Sequence, residues 1–233
     1  MITQRLVAVL TGDLVKSRNL GSKRAATSTD FSKIIEECRK YLATKNCRLH
    51  YSGFYRGDSF QIALSDPRFA LWLVIFLRGR LLQNRSQGIR FDVRLGVGLG
   101  TASSWVKGNI AASDGEGFQL SGKALDSLKS SKEKYRRLRI CPPERHQDES
   151  LTVISACLDA MIQRWTPEQA AAMTLFLQEK TQDEISAELK IRQPAVQTRL
   201  QTAGHYAIRE AYEFFSRLID RWIIELDINN SKI

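Results

Sequence analysis

The segment Tyr51–Leu64, YSGFYRGDSFQIAL, admits few conformations. Aromatic and β-branched residues (Tyr51, Phe54, Tyr55, Phe60, Ile62) flank a tip of Arg56-Gly57-Asp58-Ser59, a combination that predicts a β-hairpin. Asp58 at the tip reads either as a turn former or as a ligand. A second carboxylate bears on the choice. Leu6–Leu10 is a continuous apolar run, as in a strand buried on both faces, and it ends in Thr11-Gly12-Asp13. An Asp at a strand end and an Asp on a neighbouring hairpin tip can converge on one divalent cation. Mg²⁺ or Mn²⁺ takes one or two such carboxylates together with phosphate oxygens. Beyond Asp13 the chain is expected to turn into a helix. That turn makes Leu14, Val15, Lys16 and Ser17 candidate nucleotide-binding residues, through backbone N–H groups and, at Lys16, Ser17 and Arg18, side-chain donors.

The remaining elements of the first part follow from periodicity. Residues 22–44 give a helix, with Phe31, Ile34, Ile35, Cys38 and Leu42 at helical spacing. Leu49–Arg56 and Phe60–Leu64 are the two hairpin strands, and Pro67 opens a core helix to Gln83. Ile89–Thr101 alternates Phe91, Val93, Leu95, Val97 and Leu99 with polar residues or glycine, the period of a strand. Gly96, Gly98 and Gly100 leave one face bare, which suits close approach of another backbone or a ligand, or a twisted strand near a bulge. Gly115–Lys129 reads as a helix and Tyr135–Cys141 as a closing strand. The basic run before that strand (Lys129, Lys132, Lys134, Arg136, Arg137) reads as a solvated loop or as a device that steers polyphosphates.

The resulting order, β-α-β-β-α-β-α-β, is that of a ferredoxin-like palm in an α+β protein. Residues 1–141 resemble the palm domain of class III nucleotide cyclases. Members carry an Asp after the first strand, a Gly-Asp on the hairpin, a strand R-x-G-x-x-x-G and a helix V-N-x-A-x-R. This chain has Asp13, Gly57-Asp58, Arg94-Leu95-Gly96-Val97-Gly98-Leu99-Gly100 and Phe118-Gln119-Leu120-Ser121-Gly122-Lys123. The tip Arg56-Gly57-Asp58-Ser59-Phe60 is also similar to the hairpin of GGDEF-type diguanylate cyclases, with Ser59 for the second acid. The whole chain most resembles the SatD family of bacterial proteins.

The resemblance implies Asp13 and Asp58 as metal ligands. It implies Gln119 and Lys123 as catalytic residues, one positioning a ribose and one neutralising the reacting phosphate. It also implies a nucleoside triphosphate as ligand and a homodimer in which the partner supplies the helix residues. Arg56, Gly57 and Phe54 fall at the nucleotide. Adenine-selecting cyclases place a Lys four residues before the hairpin Asp; Phe54 stands there, so no preference for adenine follows.

Residues 142–150 are polar, proline-bearing and aperiodic, the expected linker to a second, all-α domain over 151–233. Leu151–Arg164 is amphipathic. Thr166-Pro167-Glu168-Gln169 is a helix start, and Thr181 with Glu184 is a capping box opening Thr181–Leu189. Lys190-Ile191-Arg192 then turns into a helix beginning Gln193-Pro194. Two short capped helices joined by a tight turn resemble the helix-turn-helix of sigma-factor region 4. Ile185, Leu189, Ile191, Val196 and Leu200 would be its core. Arg192, Gln193, Gln197, Thr198, Arg199 and Gln201 then face solvent as candidate contacts to duplex DNA, with a partner helix as the other reading. His205–Leu226 is a long helix whose apolar stripe is core or a dimer seam.

Charge is unevenly placed: the chain is +10 overall, +12 over residues 1–150 and −2 over 151–233. A basic first part suits a polyanion, while the acidic balance of the second part weighs against autonomous DNA binding. The four cysteines show no metal-ligand spacing and are expected to be reduced, as in a cytoplasmic protein. No apolar run is long enough to span a bilayer, and MITQRLVAVL lacks the features of a signal peptide, so no membrane partner is expected. The sequence therefore favours a metal-dependent nucleotide-binding palm coupled to a helix-turn-helix. It acts either as a nucleotidyl cyclase-like enzyme or as a non-catalytic nucleotide-sensing regulator of transcription.

Overall fold

The computed structural model describes residues 5–15, 24–55, 58–83, 85–86, 89–102, 113–132, 135–143, 146 and 149–230. In chain order the elements are β1 (Leu6–Leu14), α1 (Arg24–Thr44), β2 (Leu49–Tyr55), β3 (Ser59–Leu64), α2 (Ala70–Gln83), β4 (Arg85–Ser86), β5 (Ile89–Arg90), β6 (Val93–Thr101), α3 (Glu116–Ser130) and β7 (Leu138–Cys141). The helices α4 (Ser150–Ile162), α5 (Pro167–Leu177), α6 (Gln182–Leu189), α7 (Gln193–Ala203) and α8 (His205–Asn230) complete an α+β chain.

Among the described residues the main sheet has the order β2-β3-β1-β6-β7, with β1 antiparallel to both β3 and β6 and β7 parallel to β6. The apolar run at Leu6–Leu10 is central, as expected, but its strand continues to Leu14. Pairing on both sides is what extends it: Asp13 lies opposite Ser59 on one flank and Arg94 on the other. Leu6, Ala8, Leu10 and Leu14 join the core under α1 and α2, where Phe31, Ile34, Ile35, Cys38 and Leu42 are buried. Val7 and Val9 point the other way and cluster with Phe118 of α3.

The bare face of β6 is occupied by α3. A Cβ on Gly98 would lie 2.2 Å from the Gly117 carbonyl oxygen, and one on Gly96 would lie 2.4 Å from the backbone at Ser121 and Leu125. Of the alternatives left open for these glycines, close approach of another backbone is the one realised.

Two strands start later than periodicity suggests, and one buried cluster explains both. Arg78 of α2 is fully buried, with its guanidinium donating to Asp92 (Nε to Oδ1 3.0 Å, Nη2 to Oδ2 2.9 Å) and to Asp159 of α4. Asp92 Oδ1 also accepts from the Val93 amide, so Phe91 and Asp92 leave the ladder and β6 begins at Val93. Among the described residues, Arg85–Ser86 and Ile89–Arg90 pair with each other and not with the main sheet. Asp159 Oδ2 accepts from the amides of Arg137 (2.7 Å) and Leu138 (2.9 Å), which holds the start of β7 at Leu138. Burial alone would lower the Arg78 pKa, but Asp92 and Asp159 more than offset it and hold the group above its ordinary value.

The helical part rests on α2. Gly79 meets Thr174 and Trp165, Trp72 donates from Nε1 to the Leu177 carbonyl (2.8 Å), and Trp165 does likewise to Ala203 (2.8 Å). Buried side chains run without a break from the sheet through α2 into α4, α5, α7 and α8. Within residues 142–150, the His146 ring stacks on Trp222 of α8 at 4.9 Å. The apolar stripe of α8 (Ile208, Phe215, Ile219, Trp222) is buried within this chain, so it is core here. Both expected capping boxes are present, Thr166 with Gln169 and Thr181 with Glu184. No described helix is long and apolar enough to cross a membrane, and the four cysteines are free thiols.

Removing Arg78 strands two carboxylates, one of them almost completely buried. Arg78→Leu should therefore cost about 3–5 kcal/mol, the range for breaking a buried ion pair from one side. Urea denaturation of the two proteins measures it, and a loss well below that range would mean water or other groups reach Asp92 and Asp159.

Candidate functional site

The register of β1 decides what meets at the end of the sheet. Asp13 pairs with Ser59, and the Leu14 amide donates to the Asp58 carbonyl at 3.3 Å, so Asp13 and Asp58 are neighbours across the β1–β3 ladder. Asp13 is 5% exposed and Asp58 half-buried. On the other flank Arg94 presents its guanidinium to Asp13 two-pronged, Nε to Oδ1 at 2.9 Å and Nη2 to Oδ2 at 3.2 Å. Lys129 Nζ stands 3.4 Å from Oδ2. Arg137 lies toward the Arg78 cluster: its carbonyl accepts from Leu95, and burial, with Arg94 and Arg78 nearby, lowers its guanidinium pKa. The site thus holds one nearly buried carboxylate, Asp13, paired with two cations, with the Asp58 backbone beside it across the ladder.

Lys129 arrives there because of the glycines in β6. They bring the N-terminus of α3 against Gly100 and its middle against Gly96, so α3 runs antiparallel to β6 and its last turn lies beside Asp13. A buried hydroxyl pair, Thr11 Oγ1 with Ser121 Oγ at 2.8 Å, anchors the middle of the helix to β1.

Other expected site residues lie elsewhere. Gln119 and Lys123 are exposed on α3, about 15 and 9 Å along the axis from Lys129 at 1.5 Å per residue. Within one chain they are not brought to Asp13. Phe54 packs against Phe31 (5.0 Å between centroids) and Phe60 (5.8 Å), on the α1 face of the sheet and not the α3 face. The amides of Leu14 and Val15, expected as phosphate donors, are engaged by the carbonyls of Asp58 and Asp92, because the strand continues where a turn was expected. Lys16, Ser17, Arg56 and Gly57 lie outside the described residues.

At the other end of the chain, α6 and α7 are joined through Lys190 in the left-handed region (φ 54°). Ile185, Val196 and Leu200 are buried, and Leu189 and Ile191 half-buried, as the spacing implies. Arg192, Gln193, Gln197, Thr198 and Gln201 are exposed and Arg199 half-buried, along one helix that follows the turn. Gln193 donates to Gln182 at 2.9 Å, and the Thr198 hydroxyl turns back to the Pro194 carbonyl.

Sequence reasoning passed over Arg78, Asp92 and Asp159, and gave Lys129 no part at Asp13. The signal for Arg78 was there, a charge inside ALWLVIFLRGRLLQ, where only a paired cation can be buried. No protein-family model, no curated protein and no solved structure matches this chain.

The Asp13–Arg94 pair is geometrically strong and largely shielded. A double-mutant cycle with Asp13→Ala and Arg94→Ala should give a coupling energy of about 1–3 kcal/mol. Coupling near zero in chemical denaturation would show that Lys129 and water hold Asp13 without Arg94.

Proposed function

We propose that the chain binds a nucleoside triphosphate with a divalent cation at the Asp13–Asp58 end of its sheet, on a ferredoxin-like palm of the SatD type. The observation that carries this reading is the β1 register, which sets the backbones of Asp13 and Asp58 side by side, with Arg94 and Lys129 on the Asp13 carboxylate. The strand order β2-β3-β1-β6, reached through β-α-β-β-α-β connections, supports the fold assignment.

The donor set suits a hard cation. Two carboxylates are what Mg²⁺ or Mn²⁺ takes beside phosphate oxygens. Asp13 already has its charge met, so a divalent cation fits by taking the place of Arg94 and Lys129 at its oxygens. Such a cation supplies charge neutralisation and Lewis acidity at the phosphates. Freed from Asp13, Arg94 and Lys129 become donors to phosphate oxygens, the arrangement that stabilises charge on a transferring phosphoryl group. Gln119 and Lys123 sit too far along α3 to serve the same chain's Asp13. A nucleotidyl cyclase-like reaction therefore needs a homodimer in which one copy's α3 faces the other's carboxylates.

Isothermal titration with each nucleoside triphosphate and Mn²⁺ tests the site. Asp13→Asn and Asp58→Asn should each weaken Mn²⁺-dependent binding roughly tenfold or more, as expected for loss of a charged ligand, with the far-UV spectrum unchanged. Unaltered affinity in both variants removes the site assignment. Pyrophosphate release, recovered when Asp58→Asn and Lys123→Ala proteins are mixed, identifies the enzyme and its dimer together.

A second reading, the non-catalytic sensor, is favoured by the complete engagement of Asp13 and by the exposed side chains of α7. On this reading α6 and α7 are a helix-turn-helix that binds duplex DNA, and nucleotide alters the affinity. Because the second part is acidic, phosphate contacts must come from a dyad-related copy or from the basic first part. Binding by the full chain should weaken steeply with salt, and Gln197→Ala or Arg199→Ala should cost about 1–3 kcal/mol at the base contacted. No salt-sensitive binding to any genomic fragment, with or without nucleotide, would assign α7 to a protein partner.

A further inference from the structure

A cleft of about 350 Å³ opens where α1, the turn before α2, α5 and α8 meet, far along the chain from Asp13 and independent of the nucleotide reading. Its volume lies in the range of small-molecule sites. Half of its lining is aromatic, and the aromatic wall is rigid. Tyr41 stacks on Trp72 at 4.6 Å and 11°, and Trp72 stacks on Phe76 at 4.7 Å and 13°. The Trp72 indole is fixed by its bond to the Leu177 carbonyl. Phe69, Phe176 and Tyr212 face the same space from three other elements.

The polar groups of the cleft are few and of mixed sign. Lys45 Nζ meets Glu179 Oε2 at 2.6 Å and lies 5.7 Å from the Tyr41 ring, so Glu179 is already neutralised and a cation already sits by Tyr41. Arg209 is exposed, pairs with Glu213 on its own helix at 4.0 Å and lies 5.5 Å from the centre of the Tyr206 ring. Among the lining side chains two cations, Lys45 and Arg209, face one carboxylate, Glu179, so the lining is net positive. Tyr41 and Tyr212 keep their protons: burial, with Glu179 near Tyr41 and Asp66 and Glu179 near Tyr212, raises both phenols above their ordinary values. The Tyr41 hydroxyl is already bonded to Glu179, which leaves that of Tyr212 as the donor to a ligand.

We propose that this cleft binds a planar aromatic carboxylate, with its ring against the Tyr41–Trp72 wall and its carboxylate on Arg209 and Lys45. A flat ring gains offset-stacked and edge contacts from five surrounding aromatics. The excess positive charge selects an anion over the organic cations that aromatic pockets otherwise bind. The cleft is shared by α1 and α2, which cover the sheet, and by α5 and α8 of the helical part, so its ligand contacts both.

Titration of the full chain with indole-3-carboxylate, its neutral carboxamide and the cationic tryptamine, three ligands on one ring, tests this by calorimetry. The carboxylate should bind most tightly. Arg209→Gln should weaken it roughly tenfold, the loss of one charge-assisted hydrogen bond, and leave the carboxamide within about twofold. Phe176→Ala should weaken all three. Because Arg209 is exposed, its variant folds and decides the charge assignment even where Phe176→Ala does not fold. Equal affinity for all three, tightest binding of tryptamine, indifference of the carboxylate to Arg209→Gln, or no binding at millimolar concentration would each overturn the proposal.

Discussion

The molecule is arranged around one buried cation. Arg78 has no access to water, and a guanidinium in that position persists only where fixed carboxylates satisfy its donors. Asp92 and Asp159 do so from opposite sides, and each also accepts backbone amides. The cluster therefore joins α2 to the start of β6, and α4 to the start of β7. The sheet and the helices that follow it share an electrostatic hinge-pin as well as apolar contacts. This also accounts for where two strands begin.

The same logic of charge, at lower burial, organises the far end of β1. Asp13 sits at a position where the sheet supplies Arg94 from its neighbouring strand and the glycine-seated α3 supplies Lys129. Neither cation is local in sequence to Asp13. The result is a carboxylate held by two side chains from other elements, an arrangement that permits one cationic partner to be exchanged for another.

Much of this was legible beforehand, and the residues show why the rest was not. The hairpin at Tyr51–Leu64, the apolar run of β1 and the capping boxes at Thr166 and Thr181 are short-range signals, and the structure has each of them. Gly96, Gly98 and Gly100 announced a bare face but could not say what lies on it, since α3 comes from elsewhere in the chain. The end of β1 was misjudged because Thr-Gly-Asp resembles a turn locally, whereas pairing on two flanks holds it extended. For the candidate site, the backbones of Asp13 and Asp58 lie side by side across the β1–β3 ladder. Gln119 and Lys123 were drawn from a motif, and their places on α3 lie about 15 and 9 Å along the axis from Lys129. His146 on Trp222 shows the same limit: a polar, aperiodic stretch can still be pinned by one long-range contact.

The position of α2 has a consequence for how the chain is made. Nearly every residue from Ala70 to Leu82 is buried, and part of that burial is provided by α5, α4 and α8. During synthesis the sheet and α2 emerge before any of those helices exist. For that interval Trp72, Phe76 and the Gly79 groove stand open to water, and Arg78 has lost its Asp159. A nascent chain with such a surface is a natural client for chaperones and a hazard for self-association. Translation pauses or cleavage anywhere before α8 thus threaten the whole fold, and the interval of exposure ends only when the last helix closes over the others.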